Sequence, residues 1–375
     1  MRFLKIRFLS LVPFIYLTLA TANVQARQHY ATQENKIKIG LLTTDNKSIE
    51  ARQGAELAII KANEQGGVKG LPIELINRSM EGPWGTGSKQ AVNLIFDDNV
   101  WAIMGSHDGR NAHLVEQVTT KARVVFLSAW ASDPTLSQAF VPWFFSCVPN
   151  DLQQASSLID EIYGKRKLTE IVLVADTGYD SKFALNSFLK MAKLAGKPDP
   201  LQFFYNNSSI DFAGLIDQIN KAGVKGIVLL GQPAASLRII EQIRNIKTDK
   251  QIFGSLSVLG ERDLTDQSLK NYEGVALISP GEWFLSNGSV FSKEYKKMYD
   301  SFPGAAAAFS FDGMNLLIEA IRSAYPDHEK VQKSLALIHY QGVTGPIQFD
   351  EKGNRAGTPA LMEIKNGVPV PIKKD

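Results

Sequence analysis

Short apolar runs alternate with amphipathic stretches along most of the chain. Apolar runs rich in β-branched residues, such as 37–43, have the length and composition of buried strands. The stretches between them, such as 50–65, repeat small and apolar residues every three or four positions, as amphipathic helices do, and Gly66-Gly67 ends this first helix. Strands that alternate with helices in this way predict a parallel sheet with helices on both faces, which is a doubly wound α/β fold.

The alternation runs twice, with a restart after Cys147-Val148-Pro149. Before the restart the pattern predicts strands at 37–43, 72–77, 101–104 and 124–127, and helices at 50–65, 88–96 and 110–121. After it the pattern predicts a helix at 151–163 capped by Asp151, strands at 171–175, 201–205, 227–230 and 252–253, and helices at 182–195, 212–222 and 237–246. Helices at 290–302 and 306–323 and short strands at 347–349, 360–364 and 368–372 complete the chain. Two such lobes side by side form a cleft, and ligands of doubly wound sheets bind beyond the carboxyl ends of the strands.

The first 26 residues have the pattern of a secretory signal peptide. Three basic residues within 1–7 precede an apolar run at 8–20, and small-x-small sites end at Ala22 and Ala26. The run is shorter than the roughly 20 residues of a membrane anchor, and no cysteine that could carry a lipid follows it. We therefore expect cleavage after Ala26, with Ala22 as the alternative, and export of the mature protein to the periplasm.

Composition narrows the classes of function. The 375 residues are 44% apolar and 21% charged, as in ordinary globular proteins. The 41 basic and 38 acidic residues nearly balance, which excludes a polyanion-binding surface spread over the whole molecule, so no nucleic-acid partner is expected. The single cysteine, Cys147, excludes an intrachain disulfide framework and a cysteine-rich metal site. His107 and His113 lack the further spaced ligands that a metal site needs, so no metal is expected.

Sequence motifs of several enzymes and regulators are missing. The chain has no G-x-S-x-G elbow of an α/β hydrolase and no glycine-rich nucleotide motif. An S-x-x-K match at 187–190 lies inside a predicted amphipathic helix. A DNA-binding regulator built on such lobes would need an N-terminal helix-turn-helix, where this chain has the signal-peptide pattern. We therefore expect no enzymatic activity and no cofactor.

An ordered set of short motifs runs along the chain. The first motifs are IGLL at 39–42, GAELA at 54–58 and KANEQGGVKGLPIEL at 61–75. They are followed by LIFDDNVWAIMGS at 94–106, VVFLSAWASDPTL at 124–136, FFSCVPND at 144–151, VADTGYDSKF at 174–183 and GPIQFDEKGN at 345–354. This ordered set resembles the type I periplasmic binding proteins, in the branch of the leucine/isoleucine/valine-binding proteins of ABC importers, and the resemblance covers about residues 37 to 370.

The resemblance implies a clamshell whose two lobes are joined by a hinge of three crossovers. The N-terminal lobe would contain 27–148 and 280–343, and the C-terminal lobe would contain 149–279 and 344–375. Ligand binding would shift an equilibrium between open and closed forms, because the ligand touches both lobes only in the closed one.

The resemblance places a first ligand loop at 105–112. There Asp108, Gly109, Arg110 and Asn111 stand at a predicted helix start, where backbone N–H groups and charge-assisted bonds would hold a ligand carboxylate. The alternative is that Asp108 caps the helix and Arg110 pairs with it.

A second ligand loop corresponds to Trp130, Ala131 and Ser132, with Ser132 in place of the threonine usual in the family. Trp130 either walls the pocket and stacks on the ligand or packs within its lobe. From the second lobe, Tyr179 matches an aromatic position at a helix start, and Gln232 follows Gly231 where the family often has tyrosine.

Trp84 and Trp283 are further aromatic candidates for the ligand site, with ordinary packing as the alternative for both. The chain also departs from the family at 254–257, where Gly-Ser-Leu-Ser stands and amino-acid binders often have an acid. A buried ligand ammonium needs an anionic partner, and Asp108, Glu261 and Glu282 are candidates for it.

These features together predict a periplasmic protein that captures a small polar ligand and delivers it to an ABC permease. An amino acid or another carboxylate or amide is the expected ligand, and a monomer is the expected state. The alternative is a sensory protein that signals to a membrane receptor or kinase, and an exported enzyme is less favoured.

Overall fold

The computed structural model describes residues 36–46, 48–138, 141–206, 211–246, 248–260, 269–285 and 289–373. The predicted signal peptide, 1–26, lies outside these ranges, and so does Glu261. No helix within these ranges is both long and apolar enough to cross a membrane.

The first part of the chain alternates strands and helices, much as the hydrophobic pattern predicts. Its elements are β1 (Ile37–Thr43), α1 (Ile49–Glu64), β2 (Ile73–Ser79), α2 (Thr86–Phe96), β3 (Ala102–Ser106), α3 (Gly109–Ala122), β4 (Val125–Ser128) and β5 (Phe144–Ser146). The five strands form one parallel sheet in the order β2-β1-β3-β4-β5.

The second part repeats the alternation and then returns to both lobes. Its elements are α4 (Asp151–Ile159), which continues as a π-helical turn over Asp160–Lys165, β6 (Ile171–Asp176), α5 (Tyr179–Leu194), β7 (Leu201–Tyr205), α6 (Ala213–Lys221), β8 (Gly226–Leu229), α7 (Pro233–Asn245), β9 (Gln251–Gly254), β10 (Val275–Ile278), α8 (Glu282–Leu285), α9 (Val290–Tyr299), α10 (Ala305–Ala324), α11 (His328–Ala336), β11 (Tyr340–Gly342), β12 (Gly345–Ile347), β13 (Leu361–Lys365) and β14 (Val368–Ile372).

The second sheet has seven strands in the order β14-β13-β10-β9-β8-β6-β7. Strands β6 to β10 pair in parallel, whereas β13 and β14 from the tail add antiparallel strands at one edge. β6, β8 and β10 are buried along their whole length, as strands covered by helices on both faces must be.

The helix α10 belongs to the first lobe, because it packs along α1. Gly54 on α1 allows this approach, since a Cβ at that position would lie 2.1 Å from the carbonyl oxygen of Ala307. We call the five-stranded sheet and the helices packed on it the first lobe, and the seven-stranded sheet with its helices the second lobe. The exact lobe boundaries near 148, 280 and 343 stay a prediction.

A buried hydrogen-bond network joins the segments that cross between the lobes. The Arg355 guanidinium donates to the carbonyl oxygens of Cys147 (2.9 Å), Thr344 (2.9 Å) and Pro346 (3.0 Å), and to the Thr344 hydroxyl (3.0 Å). The Asp312 carboxylate accepts from the backbone N–H groups of Val343 and Thr344 and from the Thr344 hydroxyl. We call Arg355, Thr344 and Asp312 the crossing network.

Several sequence predictions need correction. Asp151 does not cap its helix: Asn150 does, in a capping box with Gln153, and Asp151 is the first helical residue. The strand predicted at 347–349 lies at Gly345–Ile347. The sequence analysis also missed the strands β5, β10 and β11 and the helices α8 and α11, the last of which follows directly after the longer α10.

The crossing network predicts that Arg355→Ala strongly destabilises the protein. The substitution removes a buried cation that satisfies three carbonyl oxygens, and loss of one member of a buried polar pair costs about 3–5 kcal/mol. Arg123→Ala is the control, since Arg123 pairs with Glu329 on the exposed surface and such pairs contribute about 1 kcal/mol or less. Urea unfolding measures both, and equal losses in the two variants would contradict the role of the network.

Candidate functional site

A cavity of about 420 Å³ lies between the two lobes. Its walls come from residues 44, 45 and 48, from the loops 130–132, 230–234 and 255–260 and from the first turns of α4 and α5. These loops follow the carboxyl ends of β1, β4, β8 and β9, which is where doubly wound sheets bind ligands. The volume lies within the range of about 300–1,000 Å³ that small-molecule sites occupy.

On the first-lobe side, the cavity is lined by Trp130, Ala131 and Ser132 from the loop after β4. The Trp130 ring also packs edge-on against Phe309, with 6.4 Å between the ring centroids. Trp130 therefore combines the two roles that the sequence left as alternatives, as it lines the cavity and packs within its lobe.

Asp151 places a buried carboxyl group at the cavity wall. It is linked twice to Ser132, whose hydroxyl donates to Oδ1 of Asp151 (2.7 Å) and whose carbonyl accepts from the Asp151 backbone N–H (2.8 Å). Burial raises the pKa of the Asp151 carboxyl well above its ordinary value, and the negative charges of Asp180 and Asp133 raise it further against the Ser132 hydrogen bond. Asp151 therefore retains its proton more readily than an exposed aspartate.

On the second-lobe side, the wall is organised by Asp176 at the end of β6. Its carboxylate accepts from the backbone N–H groups of Gly178 (2.7 Å) and Gln232 (3.1 Å) and from the Ser181 hydroxyl (2.7 Å). Asp176 thus ties the start of α5 to the start of α7. Gln232, a residue singled out from the sequence, lines the cavity at this point.

Gly231 is required beside Gln232, because a Cβ there would lie 1.9 Å from the Tyr205 hydroxyl oxygen. In the loop after β9, which belongs to the same wall, Leu256 lines the cavity. Its backbone N–H donates to the Gln154 side chain (2.9 Å). An apolar side chain therefore stands at the position where amino-acid binders often have an acid.

Direct hydrogen bonds bridge the two lobes beside the cavity. The backbone N–H of Gly109, at the start of α3, donates to Oδ1 of Asp180 on α5 (2.9 Å). The Tyr179 hydroxyl donates to Oδ2 of Asp133 (3.1 Å) in the first lobe. We call these two contacts the lobe bridge. Burial raises the pKa of the Asp180 carboxyl to about 6, against the hydrogen bond from Gly109.

His113 stabilises the first-lobe side of the bridge. Its Nε2 lies 3.2 Å from Oδ2 of Asp133, and hydrogen bonds to Asp133 and Glu116 raise the pKa of His113 to about 9. Burial raises the pKa of Asp133, but hydrogen bonds from His113 and Thr135 outweigh it and leave the pKa lowered. Asp133 and His113 therefore form an ion pair at neutral pH.

The remaining candidates from the first ligand loop lie outside the cavity wall. Asp108 caps α3, as its carboxylate accepts from the backbone N–H (2.9 Å) and the side-chain amide (2.7 Å) of Asn111. The Arg110 guanidinium stacks on the Trp84 ring, 4.0 Å from its centroid, rather than pairing with Asp108. The capping alternative for Asp108 is thus correct, and the pairing alternative for Arg110 is wrong. A direct ligand contact by this loop stays a prediction.

Neither of the two further tryptophans lines the cavity. Trp84 is 65% exposed. Trp283 is buried, donates its indole N–H to the Pro280 carbonyl oxygen (3.1 Å) and packs edge-on against Phe291. The surroundings of Trp283 therefore fit the alternative of ordinary packing.

The sequence analysis missed the acids that line the cavity, Asp45, Asp151 and Asp180. Asp151 and Asp180 lie within the motifs that carry the family resemblance, directly after a predicted crossover and at a helix start. Of the acids that the sequence analysis considered, Asp108 caps a helix, Glu282 is exposed, and Glu261 lies outside the described residues. In the described ranges, no group of three or more His, Cys, Asp or Glu side chains is placed to hold a metal ion.

Comparison with protein-family models gives a match to the model described as "Periplasmic binding protein" over residues 36–367. Among curated proteins, the leucine-, isoleucine-, valine-, threonine- and alanine-binding protein of Pseudomonas aeruginosa is 22% identical over 309 residues, which is 81% of each chain. Glutamate receptor 3.4 of Arabidopsis thaliana is 22% identical over 369 residues and covers 86% of this chain. This chain spans only about two fifths of that receptor's length, since the match covers 38% of it.

Among solved structures, the branched-chain amino acid transporter substrate-binding protein LivJ of Streptococcus pneumoniae, in complex with isoleucine, has a TM-score of 0.78. It is 22% identical, and the match covers 90% of this chain and 100% of that one. At this identity the likeness shows the fold alone. The predicted fold class, two doubly wound α/β lobes, is therefore confirmed.

The lobe bridge predicts that Asp180→Ala shifts the protein towards a more open form. The substitution removes the acceptor for the Gly109 N–H, whereas Asp180→Asn keeps an acceptor oxygen at the same place and serves as the control. Small-angle X-ray scattering of the ligand-free protein measures the radius of gyration, which we expect to rise in the alanine variant and stay constant in the asparagine variant. An unchanged radius in both would contradict the bridge.

The Asp133–His113 pair predicts a pH-dependent part of the stability. Because folding raises the pKa of His113 from 6.5 to about 9, its contribution is complete below pH 6.5 and is lost as the pH rises through 9. His113→Gln is expected to flatten the fall in Tm between pH 6.5 and 9. His339→Gln, at an exposed histidine, is the control, and identical profiles for the two variants would contradict the pairing.

Proposed function

The chain belongs to the periplasmic binding protein family, and from this premise we propose that it captures a small polar molecule in the cleft between its lobes. The family resemblance inferred from the sequence motifs is confirmed by the match over residues 36–367. The observation that carries the proposal is the cavity itself, which is about 420 Å³ in volume and collects the carboxyl ends of strands from both sheets. A ligand that touches both lobes at once favours the closed form over the open one.

We propose that the captured molecule is delivered to an ABC-type permease of the inner membrane. Two observations support this step: the similarity to a transporter substrate-binding protein over its full length, and the N-terminal pattern of a signal peptide, which fits a periplasmic location. Binding and release then make up the whole activity, and no reaction is assigned to the cleft.

Sensing is the second candidate function. It is favoured by the match to a plant glutamate receptor, in which a segment similar to this chain makes up about two fifths of the protein. A sensory protein of this kind would pass its closed form to a membrane receptor or kinase instead of a permease. Permease and ATPase genes beside the gene for this chain would favour import, and a kinase or chemoreceptor gene would favour sensing.

The proposed function predicts that the mature chain is stabilised by one class of small molecule in a thermal-shift screen. The screen covers amino acids, amines, organic acids, amides, polyols and aromatic acids. A ligand at about a thousand times its Kd adds roughly 4 kcal/mol of stability, and each kcal/mol raises Tm by about 2–4 °C for domains of this size. A flat screen would contradict capture of a small polar molecule.

A blocking variant locates the binding in the cleft. Ala234 is exposed and lines the cavity, so Ala234→Trp should fill the site and abolish the shift without disturbing the core. Ala213→Trp is the control, at an exposed position at the start of α6 that does not line the cavity. Equal shifts in both variants would place the ligand elsewhere.

A further inference from the structure

The ionisable side chains that the structure describes at the cavity are all acidic. Among the described residues that line it, Asp45, Asp151 and Asp180 carry carboxyl groups, and none is a lysine or arginine. The rest of the lining is either uncharged and polar, as with Ser132 and Gln232, or apolar. A ligand carboxylate would therefore meet carboxyl groups at short range and no cationic side chain among these residues.

Three backbone N–H groups at helix starts near the cavity donate to carboxylates of the protein. The first N–H of α3, on Gly109, donates to Asp180, and the N–H of Asn111 donates to Asp108. The N–H of Gln232, at the start of α7, donates to Asp176. Since the partial positive charge of a helix start is concentrated on its first N–H groups, an acidic ligand would have to compete with the protein's own carboxylates for these three donors.

Asp151 is the acid best placed to meet a ligand. Its carboxyl group is buried, only 5% of the residue is exposed, and it borders the cavity with the Ser132 hydroxyl bound to Oδ1. It is also the first residue of α4, where the helix dipole favours a negative charge. A cation that entered the cavity at this point would offset the charge of an ionised Asp151 and so favour its ionised form.

The other titratable groups that the structure describes around Asp151 provide no free cation to pair with its carboxyl group. Asp45 faces the cavity from the loop after β1, and Asp180 faces it from α5. Asp133, from the loop after β4, adds a negative charge that is already paired with His113 and hydrogen-bonded by Tyr179. The strongest charge effects on Asp151 come from Asp180 and Asp133, and both are repulsive.

We propose that the cavity recognises a protonated amine or amidine, with Asp151 as the carboxylate that binds its charge and Trp130, Leu230 and Leu256 as the apolar wall for the rest of the molecule. The proposal rests on the proposed function, because it takes the cleft to be the ligand site. It names a ligand class that needs no carboxylate of its own, in contrast to isoleucine in the S. pneumoniae complex.

A matched ligand series tests the class. Leucine, 3-methylbutylamine and 4-methylpentanoic acid share one branched body and differ in whether they carry both charged groups, the amine alone or the acid alone. Phenylalanine, 2-phenylethylamine and 3-phenylpropanoic acid repeat the comparison on an aromatic body, and putrescine and agmatine extend the amines to dications. Isothermal titration at pH 7.5 should give at least one amine whose Kd is about tenfold or more below that of its matched acid.

The outcomes separate this proposal from the one on which it rests. Tighter binding of an acid than of its matched amine, or stabilisation of the protein by acids or amides while no amine binds, overturns the amine assignment and leaves the cleft as a ligand site. No stabilisation by any compound, in this series or in the thermal-shift screen, overturns both proposals.

Substitutions test the role of Asp151. Asp151→Asn keeps the shape and removes the charge, so it should weaken binding of the amine about tenfold or more. Asp217→Asn removes one exposed carboxylate from the second lobe and should change the affinity less than twofold. If Asp151→Asn fails to fold, Asp180→Asn, which keeps an acceptor for Gly109, should also weaken the amine. Unchanged amine affinity in Asp151→Asn, or in Asp180→Asn where Asp151→Asn does not fold, would overturn the assignment of an amine to this site.

The pH dependence provides a second readout. The amine stays protonated between pH 5 and 8, whereas the raised pKa values of Asp151 and Asp180, the latter about 6, leave these carboxyls partly protonated at the acidic end. Amine affinity should therefore rise from pH 5 to pH 8, and this rise should be smaller in Asp151→Asn. Affinity that falls or stays constant over this interval in the unsubstituted protein would contradict the carboxylate as the partner.

Discussion

The geometry of the cleft depends on the buried Arg355 side chain, which ties the crossing segments together. Its guanidinium holds the carbonyl oxygen of Cys147, three residues before the capping box of α4 begins at Asn150. Its backbone carbonyl accepts from the Gln153 side chain of that same capping box (2.8 Å). Arg355 therefore fixes the start of α4 from two directions, and with it the position of Asp151 at the cavity wall. A buried cation can serve this purpose because carbonyl and hydroxyl groups satisfy its donors.

The lobes meet through carboxylates on both sides of the cleft. Asp180 reaches from the second lobe to a helix start in the first, and Asp133 of the first lobe receives a hydroxyl from the second. Asp176 and Asp108 satisfy further helix starts within their own lobes. The carboxylates that join the lobes thus also place acidic groups beside the cavity, where an ionised carboxylate makes the local potential more negative.

The alternation of apolar runs and amphipathic stretches was sufficient to predict both lobes and most strands within one or two residues, because strands such as β6 are buried on both faces and their composition is set by that burial. The ordered motifs added the family. The pattern could not predict that the tail strands β13 and β14 run antiparallel at the edge of the second sheet. The direction of these two strands depends on where the chain re-enters the lobe, and the local spacing of apolar residues carries no information about that.

The site was harder to predict for a similar reason. Trp130, Ala131, Ser132 and Gln232 were found because the family resemblance pointed to their positions, and they do line the cavity. Asp151 was interpreted as a helix cap, because an acid at a predicted helix start is usually one. Only the structure shows that Asn150 takes that role and leaves the Asp151 carboxyl facing the cleft. The contact between Gly109 and Asp180 joins residues 71 positions apart, and sequence spacing carries no information about it.

The central claim is that a cation is held at Asp151 inside the cleft. A crystal structure of the protein with the tightest-binding amine of the series tests this claim most directly. The account predicts the amine nitrogen about 3 Å from a carboxylate oxygen of Asp151, with the body of the ligand against Trp130. An amine bound outside the cleft, or one whose nitrogen points away from Asp151, would contradict it.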